Sequence, residues 1–280
     1  MTKGARKAVV CGSMLAALLG AAMQPALGRG QTATGSGAVA HPKSVLADAR
    51  LAYYNLHSRG MASFQCDFVP DWNLVLGDMK KTNPDAAKNL LLLLQQLHFT
   101  VSIAADDSLK VTHSGLENVQ NPDVINGLSQ IYGGLEQMVT GTFQTWNLFM
   151  LKTPFPDSNS DFELVDLGPR YQLKFNDAGA NVVTTMGHDF AIEKMEVTNP
   201  GSESSIGPVL TSTPEGFVLA GFDASYKPQN EGDATKLRVR LEYVKVQGLE
   251  MLSRMTVDGT SGSTPFRVAL GFSNCQATMK

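Results

Sequence analysis

Apolar positions in this chain recur at two different spacings. Up to about residue 151 the dominant interval is three and four; beyond Pro154 it is two. Val45, Ala49, Ala52, Tyr53 and Leu56 fall on one helical face, so Pro42 to Ser58 is predicted as a helix, ended by Gly60. Met61 to Val69 alternates instead, with Phe64, Cys66 and Phe68 on one side, and Pro70 stops that strand. Asn83-Pro84-Asp85 and Asn121-Pro122-Asp123 each set an N-cap asparagine before a first-turn proline and an acid that suits the positive end of the helix dipole. The first of these helices runs through Leu90 to Leu97. The second reaches about Leu151 and carries Val124, Leu128, Ile131, Leu135, Met138, Thr142, Trp146 and Phe149 as its stripe, with Gly133-Gly134 as a weak point. Between them, Phe99-Val101-Ile103 and Leu109-Val111-His113 form a hairpin around Asp106-Asp107.

After Pro154 the helical period disappears. Tyr171-Leu173-Phe175, Val182-Thr184-Met186 and Phe190-Ile192 alternate as short strands. Longer ones follow at Val209 to Thr213, Phe217 to Tyr226, Leu237 to Val246, Met251 to Val257 and Phe266 to Gln276. Turn sequences such as Asn176-Asp177-Ala178-Gly179, Pro214-Glu215-Gly216 and Asp258-Gly259 separate them. Regular turns without intervening helices mean an antiparallel meander rather than parallel βαβ units, so the fold class is α+β.

The N-terminus reads as an export signal. Lys3, Arg6 and Lys7 precede an uncharged apolar run from Ala8 to Met23, and Ala26-Leu27-Gly28 supplies small residues for cleavage. Residues 1–28 are therefore predicted as a signal peptide, 29–41 as a flexible leader, and 42–280 as a single domain with helical insertions. No second apolar run is long enough to span a bilayer, so no transmembrane segment is expected after cleavage, and the compartment is periplasmic or extracellular. A formal net charge of −3 supplies no basic surface, and nucleic acid is not expected as a partner. Cys66 and Cys275 remain once Cys11 is removed with the signal. An even number in an oxidising compartment suggests a disulfide. Strand parity opposes it: Cys66 lies on the apolar face with Phe64 and Phe68, whereas Cys275 is opposite in parity to Phe266, Val268, Leu270 and Phe272. A bulge reverses such a parity. A bond and two separate thiols both stand as readings.

Chemistry-bearing motifs are sparse. His41, His57, His98, His113 and His188 form no His-x-x-x-His pair, and no Cys-x-x-Cys is present, so no metal or other cofactor is expected. His188-Asp189 is the single adjacent imidazole and carboxylate, and Gly187 before it marks a turn. No Gly-x-Ser-x-Gly elbow occurs. Asp157-Ser158-Asn159-Ser160-Asp161 resembles the opening of a calcium loop, but Phe162 stands at the glycine position and Gly168 where the bidentate glutamate belongs; it reads as a solvated loop. The expectation is a protein without enzymatic activity.

Several short segments resemble the LolA-type periplasmic lipoprotein carriers and their outer-membrane lipoprotein-sorting relatives. They are Ser63-Phe64-Gln65-Cys66 after the first helix, Thr213-Pro214-Glu215-Gly216-Phe217-Val218-Leu219, Leu241-Glu242-Tyr243-Val244-Lys245-Val246-Gln247-Gly248, and the closing Phe272-Ser273-Asn274. The resemblance implies an incomplete antiparallel barrel, a half-barrel, covered on one face by helices and holding acyl chains in an apolar cavity. Two features depart from it: the strand Met61 to Val69 lacks the arginine that latches the helical lid in those carriers, and the helix from Asn121 to Leu151 is an addition. On this reading Leu91, Leu94, Leu135, Met138, Trp146, Phe190, Phe217 and Leu219 line a site for lipid or lipoprotein acyl chains. The alternative is a structural or assembly protein of the cell envelope that binds a protein partner.

Overall fold

The computed structural model describes residues 37–115, 117, 119–229 and 233–280. The predicted signal peptide and the first part of the leader lie outside the described residues. The elements begin with β1 (Gly37–Ala38), α1 (Pro42–Leu51), β2 (Met61–Pro70), α2 (Trp72–Val75), α3 (Gly77–Thr82) and α4 (Pro84–Leu94). The hairpin β3 (His98–Ile103) and β4 (Leu109–Ser114) precedes the long α5 (Pro122–Met150). Strands follow without interruption: β5 (Phe162–Asp166), β6 (Arg170–Asp177), β7 (Ala180–Gly187), β8 (Ile192–Asn199), β9 (Ser202–Thr213) and β10 (Gly216–Pro228). The last are β11 (Thr235–Val246), β12 (Leu249–Ser261) and β13 (Thr264–Met279). The protein is α+β, dominated by antiparallel sheet. None of the described helices is long and apolar enough to cross a membrane.

The chain forms two compact units. The first comprises Leu56–Asn147 and Val239–Lys280; the second comprises residues 37–55 and Leu148–Arg238. In the first, strands run in the order β11-β12-β13-β2-β3-β4. Phe68 of β2 pairs with Phe272 on one side and Phe99 on the other. The ring centroids lie 6.0 and 5.1 Å away. Trp72 and Tyr132 continue the cluster from Phe99, and His113 lies 3.5 Å from the Tyr132 ring. Phe64, on the same side of β2, meets Phe143 and Trp146 of α5 at 6.0 and 5.3 Å. Trp146 is wholly buried, and its Nε1–H donates to the Tyr243 hydroxyl at 3.1 Å.

The two cysteines meet through a bulge in β13. Ser273 pairs with Asp67, but the next pair is Gln276 with Gln65, so β13 carries one residue more than β2 across that interval. Asn274 takes a left-handed φ of 52° there. Asp67 accepts the Asn274 side-chain amide at 2.9 Å and the Thr100 hydroxyl at 3.2 Å. The extra residue swings Cys275 to the face of Cys66, and the two are joined as a disulfide with their Cα atoms 4.1 Å apart.

In the second unit the order is β1-β5-β6-β7-β8-β9-β10. In neither unit does the order return to its first strand; the sheet is open. A straight cross-strand row, Leu164, Leu173, Thr184, Met195, Ile206 and Ala224, marks the apolar face. The first helix is shorter than its apolar spacing predicts. It stops at Leu51 because the backbone beyond it turns to bond with β10: Phe217 N–H donates to Ala52 O at 2.8 Å, and Tyr54 N–H to Phe217 O at 3.0 Å. Sheet-type bonding to a distant strand overrides the local helical pattern.

Candidate functional site

Five of the eight residues expected to line a ligand site lie in the first unit and three in the second. In the first, Leu94 and Trp146 are wholly buried, Leu135 and Met138 are buried, and Leu91 is half-buried. Leu91 and Leu94 belong to α4, whose Asn83 cap accepts the Ala86 N–H at 3.2 Å, as the Asn-Pro-Asp sequence predicts. Leu135, Met138 and Trp146 belong to α5, where an asparagine opens the helix again: Asn121 Oδ1 accepts Asp123 N–H at 2.9 Å.

In the second unit, Phe190 and Phe217 converge on a residue read from sequence only as part of a helical stripe, Tyr53. Its ring lies 5.5 Å from Phe217, 5.5 Å from Phe155 and 6.2 Å from Phe149. Its hydroxyl accepts the Ile192 N–H at 2.9 Å and donates to Phe190 O at 3.1 Å. That bracket holds Phe190 at φ 68°, a conformation that a bulky side chain rarely adopts. Leu219, two residues along β10 from Phe217, is wholly buried. Burial pushes the Tyr53 phenol well above its usual range; the Ile192 N–H opposes the rise and the Asp189 charge adds to it. Tyr243 in the first unit behaves alike: burial raises it, the Trp146 hydrogen bond opposes, and Glu250 contributes. Both hydroxyls therefore stay protonated and act as hydrogen-bonding groups, not as bases.

Two consequences are measurable. Tyr53→Phe leaves the Ile192 N–H and Phe190 carbonyl without their buried partner and is expected to cost about 2 kcal/mol in a urea titration. An acid raised on folding favours the folded state only while it is protonated. Stability should thus be complete below pH ~10, the ordinary tyrosine value, and fall as pH rises beyond it. Tyr53→Phe should flatten that alkaline decline; an unchanged slope in the variant refutes the assignment.

His188 and Asp189 do not act as a pair. His188 stacks on Tyr171 at 4.4 Å, with its Nε2 3.6 Å from Asp166, while Asp189 Oδ1 accepts the Ala191 N–H at 3.1 Å and shapes the turn. A different imidazole and carboxylate meet in the first unit: His57 Nε2 lies 2.7 Å from Asp107 Oδ1, and its Nδ1 lies 2.8 Å from Met61 O. These residues are fifty positions apart in the chain, so no short motif marks the pair. Asp157–Asp161 is loop, and among the described residues no group of three His, Cys, Asp or Glu is placed to hold a metal ion.

Buried side-chain atoms without a hydrogen-bond partner are also informative. They include Gln137 Oε1 and Asn147 Oδ1 of α5 in the first unit, and Thr184 Oγ1 in the middle of the apolar row of the second. No family model, curated protein or solved structure matches the chain.

Proposed function

We propose that this protein is an exported, non-enzymatic module that binds the acyl chains of lipids or lipoproteins in the periplasm or outside the cell, as a member of the carrier-like half-barrel class. The observation that supports this reading most directly is the docking of α5 in the first unit. Its rings Phe143 and Trp146 rest on Phe64 of β2, and Phe143 also meets Phe272 of β13 at 5.7 Å. A long helix laid by aromatic contacts against an apolar strand face supplies hydrocarbon on two sides, which is the surface an acyl chain needs. About a dozen buried methylenes stabilise a bound chain by about 10 kcal/mol without any polar motif. Leu91, Leu94, Leu135, Met138 and Trp146 are the proposed contacts in the first unit, and Phe190, Phe217 and Leu219 those in the second.

The test is the mature protein purified without detergent. Organic extraction followed by mass spectrometry should recover stoichiometric lipid, and delipidated protein should take up a fluorescent fatty acid saturably. Absence of both ends the proposal. A second reading, a docking module for an envelope protein, is favoured by exposed apolar side chains on the short helices of the first unit: Leu92 is 55 %, Leu74 40 % and Met79 38 % exposed. Crosslinking in the intact envelope that yields one discrete protein adduct, from a chain that carries no lipid, would select it.

A further inference from the structure

We infer that the second unit takes an acyl chain that carries an oxygen, a mid-chain hydroxyl or an ester carbonyl, and that the buried hydroxyl of Thr184 on β7 recognises that oxygen. This narrows the lipid-binding reading, on which it rests: the ligand is not plain hydrocarbon, and one side chain selects it.

Thr184 is 0 % exposed and is the polar member of the cross-strand row that otherwise marks the apolar face of this unit. Leu173 stands opposite it on β6 and Met195 opposite it on β8. Val182 and Met186, two residues to either side along β7, are buried on the same face. Because β7 is paired along both edges, the backbone groups around Thr184 belong to the ladder. Among the described residues its Oγ1 has no hydrogen-bond partner. Ser202, a buried hydroxyl on β9 of the same unit, contrasts with it: that hydroxyl donates to Asn199 Oδ1 at 3.2 Å.

Valine has nearly the shape of threonine and suits a strand as well, so packing alone does not call for the hydroxyl. Left unmet in an apolar interior, that hydroxyl disfavours the unliganded fold. Water is a poor partner for it. A buried water ordinarily makes about three hydrogen bonds, and among four apolar neighbours Thr184 offers it one. An oxygen carried in on a hydrocarbon chain needs only that one, and its methylenes suit Leu173, Val182, Met186 and Met195. The row also offers a way in. From Leu164 to Met195 it is buried, but Ile206 and Ala224, at its β9–β10 end, are half-buried. Ile206 is two strands from Thr184, about 10 Å at the usual strand spacing. A fatty acid entering there keeps its charged carboxylate in water and meets Thr184 several methylenes along, which suits a mid-chain hydroxyl. An uncharged ester can be drawn in whole. Both present the same chemistry to Thr184, a single oxygen acceptor.

The experiment displaces a dansyl-labelled undecanoic acid from the delipidated mature protein with three competitors: stearic acid, stearic acid bearing one mid-chain hydroxyl, and methyl stearate. The wild type should bind at least one of the two oxygen-bearing competitors about tenfold more tightly than stearic acid. Which of them it prefers identifies the source of the oxygen. Thr184→Val should abolish that preference and, by removing the unmet hydroxyl, raise the melting temperature of the unliganded protein. Thr184→Ser, which keeps a hydroxyl, should retain the preference. A wild type that binds all three competitors alike refutes the assignment, as does a preference that persists in Thr184→Val or a valine variant that melts lower. Each of those results leaves the lipid-binding reading standing. If neither the reporter nor any competitor binds, both fall together.

Discussion

Replacing Gly216 by alanine is expected to destabilise the second unit by roughly 3 kcal/mol or more. Gly216 begins β10 at φ 113°, outside the regions open to a residue with a side chain. A Cβ there would lie 2.8 Å from Tyr54 N, 2.9 Å from Ala52 O and 2.9 Å from the Tyr53 carbonyl carbon. All three are backbone atoms, and the hydrogen bonds between Phe217 and the segment Ala52–Tyr54 pin them in place. No flexible side-chain end is available to give way. The chain after α1 must therefore lift off β10, which draws the Tyr53 hydroxyl away from Phe190 and Ile192. Urea denaturation reads the loss, and hydrogen exchange should localise it to the amides of Tyr54, Phe217 and Ile192. Gly168→Ala is the control. Its φ is also left-handed, at 86°, but its Cβ would meet nothing within 4 Å, so only conformational strain of about 1 kcal/mol is expected. Equal effects of the two substitutions would show that close approach of the backbone is not what Gly216 provides.

Legibility in the sequence followed the distance over which each element is specified. Helix α4 and the start of α5 were readable because Asn83 and Asn121 cap their own neighbours. The β3–β4 and β6–β7 hairpins were readable because alternation and turn residues sit side by side, with Ala178 and Gly179 both at positive φ. Elements set by distant partners were not. The end of α1 is decided by Phe217. Strand β9 begins at Ser202, seven residues before the apolar alternation starts at Val209, and contains Pro208. Pairing of β8 with β9 covers only Ser202 to Ile206, so Pro208 lies past its end and is flanked by a partner strand on the β10 side alone, opposite Phe222. Neither α2 nor β5 has enough residues to display a period; Asp71, which caps α2 by accepting Asn73 N–H at 3.0 Å, was its one local signal. Among the candidate site residues, apolar identity marked Trp146 and Leu219 for burial. It did not mark Tyr53 as the centre of a cluster, because Phe149, Phe155, Phe190 and Phe217 lie about a hundred or more positions further along the chain.

Removing the Cys66–Cys275 bond has the other large expected effect. The bond joins positions 209 apart, and on the chain-entropy model a closed loop of that length stabilises the folded state by about 5 kcal/mol. The double variant Cys66→Ala/Cys275→Ala should therefore unfold at a markedly lower denaturant concentration. Its m-value should rise, because the unlinked denatured chain exposes more surface. A second effect is local. Beyond the bulge, Gln276, Ala277, Thr278 and Met279 pair with Gln65, Phe64, Ser63 and Met61, and Lys280 N–H donates to Gly60 O at 2.7 Å. Met61 and Ser63 lie outside the β2–β3 pairing, which begins at Phe64, so β13 is their strand partner. Without the covalent tie, this end of β13 should exchange its amides well before the rest of the strand does. Asp67→Ala separates geometry from linkage: it withdraws the carboxylate that holds Asn274 in its left-handed turn but leaves both sulfurs in place. If the bulge is what brings Cys275 to the face of Cys66, the Asp67 variant should re-form the disulfide more slowly after reduction while keeping most of the stability once it is oxidised. An equal midpoint for the oxidised wild type and the cysteine-free variant would show that the link contributes nothing to the fold.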